Sequence, residues 1–144
     1  MSKIAIGCDH AAIDLKNEVV KHLSSHVIND VGTYSKDSVD YPDFAQKVAE
    51  LVKNGAADFG ILICGTGIGM EIAANKIKGI RAANCVNTTM AHFCRNHNDA
   101  NILCIGARIV GATLALEIVD AFIAAPFEGG RHQKRVDKIT KLEV

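Results

Sequence analysis

The stretch FGILICGTGIG, residues 59–69, decides the fold. Its first six residues, Phe59–Cys64, form a continuous apolar run, as expected of a central strand covered on both faces. Alternating glycines follow and lead into helix-like sequence, so the chain leaves a buried strand and enters a helix. The same unit recurs on either side. Toward the N-terminus, Lys3–Asp9 reads as a strand, Leu15, Val19 and Leu23 recur at helical spacing, and Val27–Val31 reads as a second strand closed by Gly32. After a loop over 33–41, Asp40 is a plausible N-cap with Pro42 in the first turn. Phe44, Val48, Leu51 and Val52 then form an apolar stripe that stops at Asn54-Gly55. Beyond the glycines come a helix over Gly67–Ile77, a strand over Arg81–Val86 and a helix over Thr88–Asn96. A fifth strand, Ile102–Ala107, an apolar helix, Gly111–Ala124, and a last helix after Pro126 complete the chain. This alternation implies a three-layer α/β/α sandwich around a five-stranded parallel sheet, with ligands at the C-terminal edge of the strands.

Composition narrows the function. At 144 residues, 49% apolar and 22% charged, the chain suits one domain and needs no disulfide or metal to fold. Sixteen basic and sixteen acidic side chains cancel, so no long-range field recruits nucleic acid or an anionic membrane. The opening MSKIAIGCDH lacks the apolar core of a secretory signal, and no apolar stretch approaches a membrane span. Five cysteines, odd in number and mostly in apolar runs, read as reduced thiols in a cytoplasmic protein.

The chemistry concentrates at strand ends. Cys64-Gly65-Thr66-Gly67-Ile68-Gly69 lets backbone N–H groups converge on an anion at a helix N-terminus. It is not a dinucleotide fingerprint, because Met70 replaces the third glycine and Val86-Asn87-Thr88 stand where an acid is needed. Nor is it a Walker loop. A free thiol is only about 3% thiolate at neutral pH, and a helix N-terminus raises that fraction, which singles out Cys64 from the other four. Asp9-His10 ends the first strand on the same edge and can bind sugar hydroxyls or move protons. Arg108 ends the fifth strand, and Arg131 and Arg135 share a face of the last helix, where forked guanidinium groups suit phosphate. His92, Cys94 and His97 are close in sequence, but His92 faces away from the other two on a helix and no paired metal motif accompanies them; no metal or cofactor is expected.

Seven segments in one order carry a resemblance: GCDHA (7–11), DYPDFA (40–45), ICGTGIGMEIAANK (63–76), GIRAA (79–83), RNHNDAN (95–101), IGARIVG (105–111) and EGGRHQKR (128–135). Together they resemble the B-type ribose-5-phosphate isomerases, in the family that also holds the galactose-6-phosphate isomerase subunits. The resemblance implies a Rossmann-like fold, a homodimer (possibly paired into tetramers), no cofactor, and aldose–ketose isomerisation of a phosphorylated sugar. It implies catalytic roles for Cys64 as base, His97 as ring-opening acid, and Thr66. It implies substrate contacts from Asp9, His10, Tyr41, Gly65, Thr66, Gly67, Ile68, Gly69, Asn98, Arg108, Arg131 and Arg135. Some members use a glutamate one residue past the glycine loop; here Met70 holds that place and Glu71 is out of register. Rival readings are a six-carbon phosphosugar isomerase, a non-catalytic phosphosugar-binding module, and a cysteine hydrolase built from Cys64 and His97.

Chain direction adds an expectation about assembly. A helix starting near Thr88 at the Cys64 edge runs back nine residues, about 14 Å, and delivers His97 to the opposite edge. Joint action of Cys64 and His97 then requires two subunits, with the C-terminal helix, from about residue 127, contacting the partner.

Overall fold

The computed structural model describes residues 1–144. Five parallel strands form one sheet in the order β2-β1-β3-β5-β4: β1 Lys3–Cys8, β2 Val27–Asp30, β3 Phe59–Cys64, β4 Ala82–Asn84 and β5 Ile102–Gly106. Six helices connect and follow them: α1 Ile13–His22, α2 Tyr41–Lys53, α3 Ile68–Ala74, α4 Thr88–Asn96, α5 Ala112–Ala124 and α6 Arg131–Thr140. The period-two pleat divides the core between the two faces of the sheet. Ile4, Ile6, Ile61, Ile63, Leu103 and Ile105 meet α1, α4 and α5 on one side, while Ala5, Leu62 and Ile102 meet α2 and α3 on the other. The expected three-layer sandwich is the observed one.

Several element ends differ from the pattern reading, each for a local reason. The first strand stops at Cys8, because the Asp9 carboxylate turns back to accept the Ala11 N–H at 3.0 Å. The helix after the glycines covers only Ile68–Ala74 and not 67–77. There the Asn75 amide pairs with both backbone groups of Ala82, at 2.8 and 3.0 Å, and draws the chain out of the helix. The last helix begins at Arg131 instead of about 127, since Gly129 and Gly130 both hold positive φ, 65° and 56°, which stops helical winding. Asp40 does occupy the N-cap of α2, but its side chain makes no capping bond. No helix is long and apolar enough to cross a membrane.

One buried charge fixes the approach to the site. Lys16 on α1 is only 1% exposed, and its ammonium donates to Asp30 Oδ1 at 2.9 Å and to the Thr33 carbonyl at 2.6 Å. It pins the chain leaving β2, which goes on to deliver Tyr41. Removing one member of such a buried pair costs about 3–5 kcal/mol.

Candidate active site

The C-terminal edge of the sheet collects most of the residues singled out by sequence. Cys64 ends β3 and pairs in register with Gly106 at the end of β5. The Asp9 N–H donates to the Ile63 carbonyl at 3.2 Å, which seats Asp9 and His10 beside that cysteine. His10 Nδ1 accepts the Val39 N–H at 3.2 Å and ties the loop that precedes Tyr41 to the same edge. The Tyr41 ring lies over Gly69, with no room between them for a Cβ. Arg108 follows β5, donates its own N–H to the Gly65 carbonyl at 3.0 Å and lays its side chain across Gly65.

The glycine loop turns inward as well as outward. Gly67 takes a positive φ of 81°, and its N–H donates to Cys64 Sγ at 3.2 Å. The Ile68 N–H donates to Thr66 Oγ1 at 3.3 Å. Two of the amides expected to face an external anion are thus committed within the loop, one of them to the thiol itself. From below, Asn84 Nδ2 donates to the Thr66 carbonyl at 3.2 Å, and Glu71 accepts the Asn84 backbone N–H. Gly106 lets the loop approach: a Cβ there would meet the Thr66 backbone at 2.5 Å.

His97, Asn98, Arg131 and Arg135 lie toward the opposite edge. His97 caps the C-terminal end of α4, its ring stacked on Phe93 at 4.8 Å and on His132 at 4.3 Å. The Glu128 N–H donates to the Asn96 carbonyl at 3.0 Å, and Asn96 Nδ2 donates to the Pro126 carbonyl at 2.6 Å. These bonds bring the start of α6 against His97. Arg131 and Arg135 project from the exposed face of α6, whereas His132 and Val136 are buried. The Asn98 carbonyl accepts from Arg81 Nε at 3.1 Å, just ahead of β4. Burial, then the neighbouring His97 and Arg131, hold the His132 imidazole below its ordinary value.

The distance between the halves follows from register. Gly60 pairs with Ile102 and Cys64 with Gly106, while the Gly60 N–H reaches Asn101, which closes the turn after His97. Four residues at about 3.3 Å each put roughly 13 Å along the strands between the cysteine and the level of that turn. A single chain therefore holds Cys64 and His97 on opposite edges, as chain direction implies. A cavity of about 880 Å³ borders β4 and is lined by Asn84, Cys85, Phe93, Cys94, Asn98 and Leu142.

All five cysteines are free and buried. Burial raises the Cys8 thiol to about 11 and lifts Cys104 well above the usual thiol range. The trio His92, Cys94 and His97 does not form a metal set, since His92 is exposed and Cys94 faces the core. Instead His97, Glu128 and His132 bring possible ligand atoms within 4.8 Å of one another. Sequence reading did not select His132, although it sits inside the quoted EGGRHQKR segment. Its spacing of four from Val136 was the available signal.

The fold is a three-layer parallel sandwich with a glycine-cradled thiol at one edge and a histidine–arginine group at the other, and the Ribose/Galactose Isomerase family model matches residues 4–139; the chain belongs to this family. Ribose-5-phosphate isomerase B of Escherichia coli (strain K12) is 52% identical over 145 residues, covering 99% of this chain and 97% of its own. The solved Clostridium thermocellum ribose-5-phosphate isomerase B superposes with a TM-score of 0.96 at 55% identity, over 97% of this chain and 96% of that one. The Mycoplasma genitalium ribose-5-phosphate isomerase B, solved with bound ribulose-5-phosphate, superposes with a TM-score of 0.92 at 46% identity, over 96% and 94% of the two chains.

Proposed function

We propose that this chain interconverts ribose 5-phosphate and ribulose 5-phosphate through an enediolate, in the cytoplasm, as one domain in a homodimer whose active sites are shared between subunits. The observation that carries the reading is the Gly67 N–H donated to Cys64 Sγ, in a chain whose residues 4–139 match the Ribose/Galactose Isomerase family. That contact seats the sulfur against the backbone of the loop, at the end of the central strand.

The reaction needs little beyond what the two edges hold. His97 of the partner subunit takes the proton of the anomeric hydroxyl and returns one to the ring oxygen, opening the furanose. Cys64 then removes the C2 proton as its electrons form the enediolate, and delivers a proton to C1 as the C2 hydroxyl becomes the carbonyl. Thr66 and the free amides of the Gly65–Gly69 loop steady the enediolate oxygen, which is where preorganised donors act most strongly. Asp9, His10 and Tyr41, with Asn98 of the partner subunit, hold the sugar hydroxyls. Arg108, with Arg131 and Arg135 of the partner subunit, anchors the phosphate; their fork geometry suits its oxygens. The mostly exposed α6 supplies the partner contact that this division requires.

Purified protein mixed with ribose 5-phosphate, without added metal, should form ketose at a rate at least ten times that with allose 6-phosphate or galactose 6-phosphate. No ketose from the pentose, or faster turnover of a hexose phosphate, would overturn the assignment.

A further inference from the structure

Outside both half-sites, two thiols face one another. Cys85, just past the end of β4, and Cys94 on α4 place their sulfurs 3.9 Å apart, with Cys85 donating its S–H to Cys94. Both are buried, at 1% and 8% exposure, and both border the cavity of about 880 Å³ beside β4. The Cys85 N–H bonded to the Cys104 carbonyl at 3.1 Å fixes one backbone, and the helical turn of α4 fixes the other. No step of the isomerisation uses either thiol. Sulfurs already in van der Waals contact on two adjoining elements need only a modest shift to reach the ~2.05 Å of a disulfide.

The geometry points to Cys85 and Cys94 as an oxidisable dithiol that closes to an intrachain disulfide on reaction with a small hydroperoxide. Cys94 is the attacking sulfur. It receives the Cys85 hydrogen bond and lies beside Arg95, and both favour its thiolate, whereas the bond to Cys94 and burial hold the Cys85 thiol up. In the first step Cys94 sulfur bonds to the terminal oxygen of the hydroperoxide and the O–O bond breaks. The departing alkoxide takes the thiol proton and leaves as an alcohol. The product at Cys94 is a sulfenic acid. In the second step Cys85 sulfur attacks Cys94 sulfur, the S–O bond breaks, and hydroxide leaves with the Cys85 proton as water. Two thiols lose two electrons, and one hydroperoxide accepts them. The new bond fastens α4 to β4 three residues before His97, so it joins the element that carries His97 directly to the sheet.

The test is peptide mapping of the native protein. It is exposed to hydrogen peroxide, blocked with N-ethylmaleimide before denaturation, and digested without reductant. Expected is a linked pair of peptides carrying Cys85 and Cys94, two hydrogens lighter than the separate peptides and released by dithiothreitol, with Cys8 and Cys104 still free thiols. In Cys85→Ala no resolving thiol remains, so dimedone should label Cys94; in Cys94→Ser, Cys85 should stay an unmodified thiol. Should Cys85 and Cys94 both remain alkylatable after peroxide and unfolding, or should either pair with another cysteine, the inference fails. Because the readout is mass and not turnover, it stands or falls independently of the isomerase assignment.

Discussion

Mixing two inactive variants is the sharpest test of the shared site. Cys64→Ala removes the base at one edge, and His97→Asn removes the ring-opening group at the other. Within a chain these residues are separated by roughly 13 Å along the strand direction, four residues of rise, which exceeds the reach of one sugar carbon chain held by both. Each variant alone should retain less than about a tenth of wild-type turnover. After unfolding and co-refolding in equal amounts, random pairing makes half the dimers mixed. In each mixed dimer one site combines both lesions and the other combines Cys64 from one chain with His97 from its partner. One intact site in half the dimers restores roughly a quarter of wild-type activity. The assay is ketose formation from ribose 5-phosphate, with native mass spectrometry to count mixed dimers. Confirmed mixed dimers without recovery would show that each chain completes its own site, and the division of labour between edges would be wrong.

Further outcomes follow from single residues. Cys64→Ala should abolish turnover while leaving substrate affinity within a few-fold, and Cys64→Ser should be nearly as poor; a residual rate above about a tenth refutes thiolate catalysis. Alanine at Arg108, Arg131 or Arg135 should raise KM roughly ten- to a hundredfold, matching about 1.5–3 kcal/mol for a charge-assisted contact, with inhibition by inorganic phosphate weakening in parallel. His132 is held below its ordinary value by burial, His97 and Arg131, so as pH falls from about 6.5 the unfolded chain binds this proton first and stability declines toward the native value. In urea titrations His132→Asn should flatten that part of the pH curve; an unchanged slope would assign it to other groups. Gly106→Ala must push against the Thr66 backbone, and should lower stability by about 1–3 kcal/mol while displacing the glycine loop, visible as a fall in both melting temperature and kcat.

The fold was legible because each buried strand announces itself. Phe59–Cys64 and Ile102–Gly106 are apolar on both faces, and the helices between them keep their stripes. Element ends were less legible, since they depend on side chains distant in sequence: the Asn75 amide ends α3 only because Ala82 lies beside it. Lys16 was invisible for a related reason. A lysine between Leu15 and Val19 reads as a solvated neighbour of the apolar stripe, and only the placement of Asp30 and Thr33 turns it inward. For the candidate site, motif spacing picked out Cys64 and its glycine loop, Asp9, His10 and the arginines. The stack of Phe93, His97 and His132 joins α4 to α6 across residues of different motifs, so no local pattern announces it.

The strand order has a consequence for how the protein loses function. The residues gathered at the C-terminal edge leave the sheet at β1, β3 and β5 and enter α2, so they span the chain from Asp9 to Arg108. A fragment must run at least from Asp9 to Arg108 to contain the arrangement, which the three central strands hold together. Conversely, opening between β1 and β3, or between β3 and β5, separates Asp9 or Arg108 from Cys64 at once. Turnover is therefore a gauge of cooperative integrity across the middle of the sheet, and the outer strands act on it through the Lys16 contact with Asp30 at the end of β2 and through Asn84 at the end of β4.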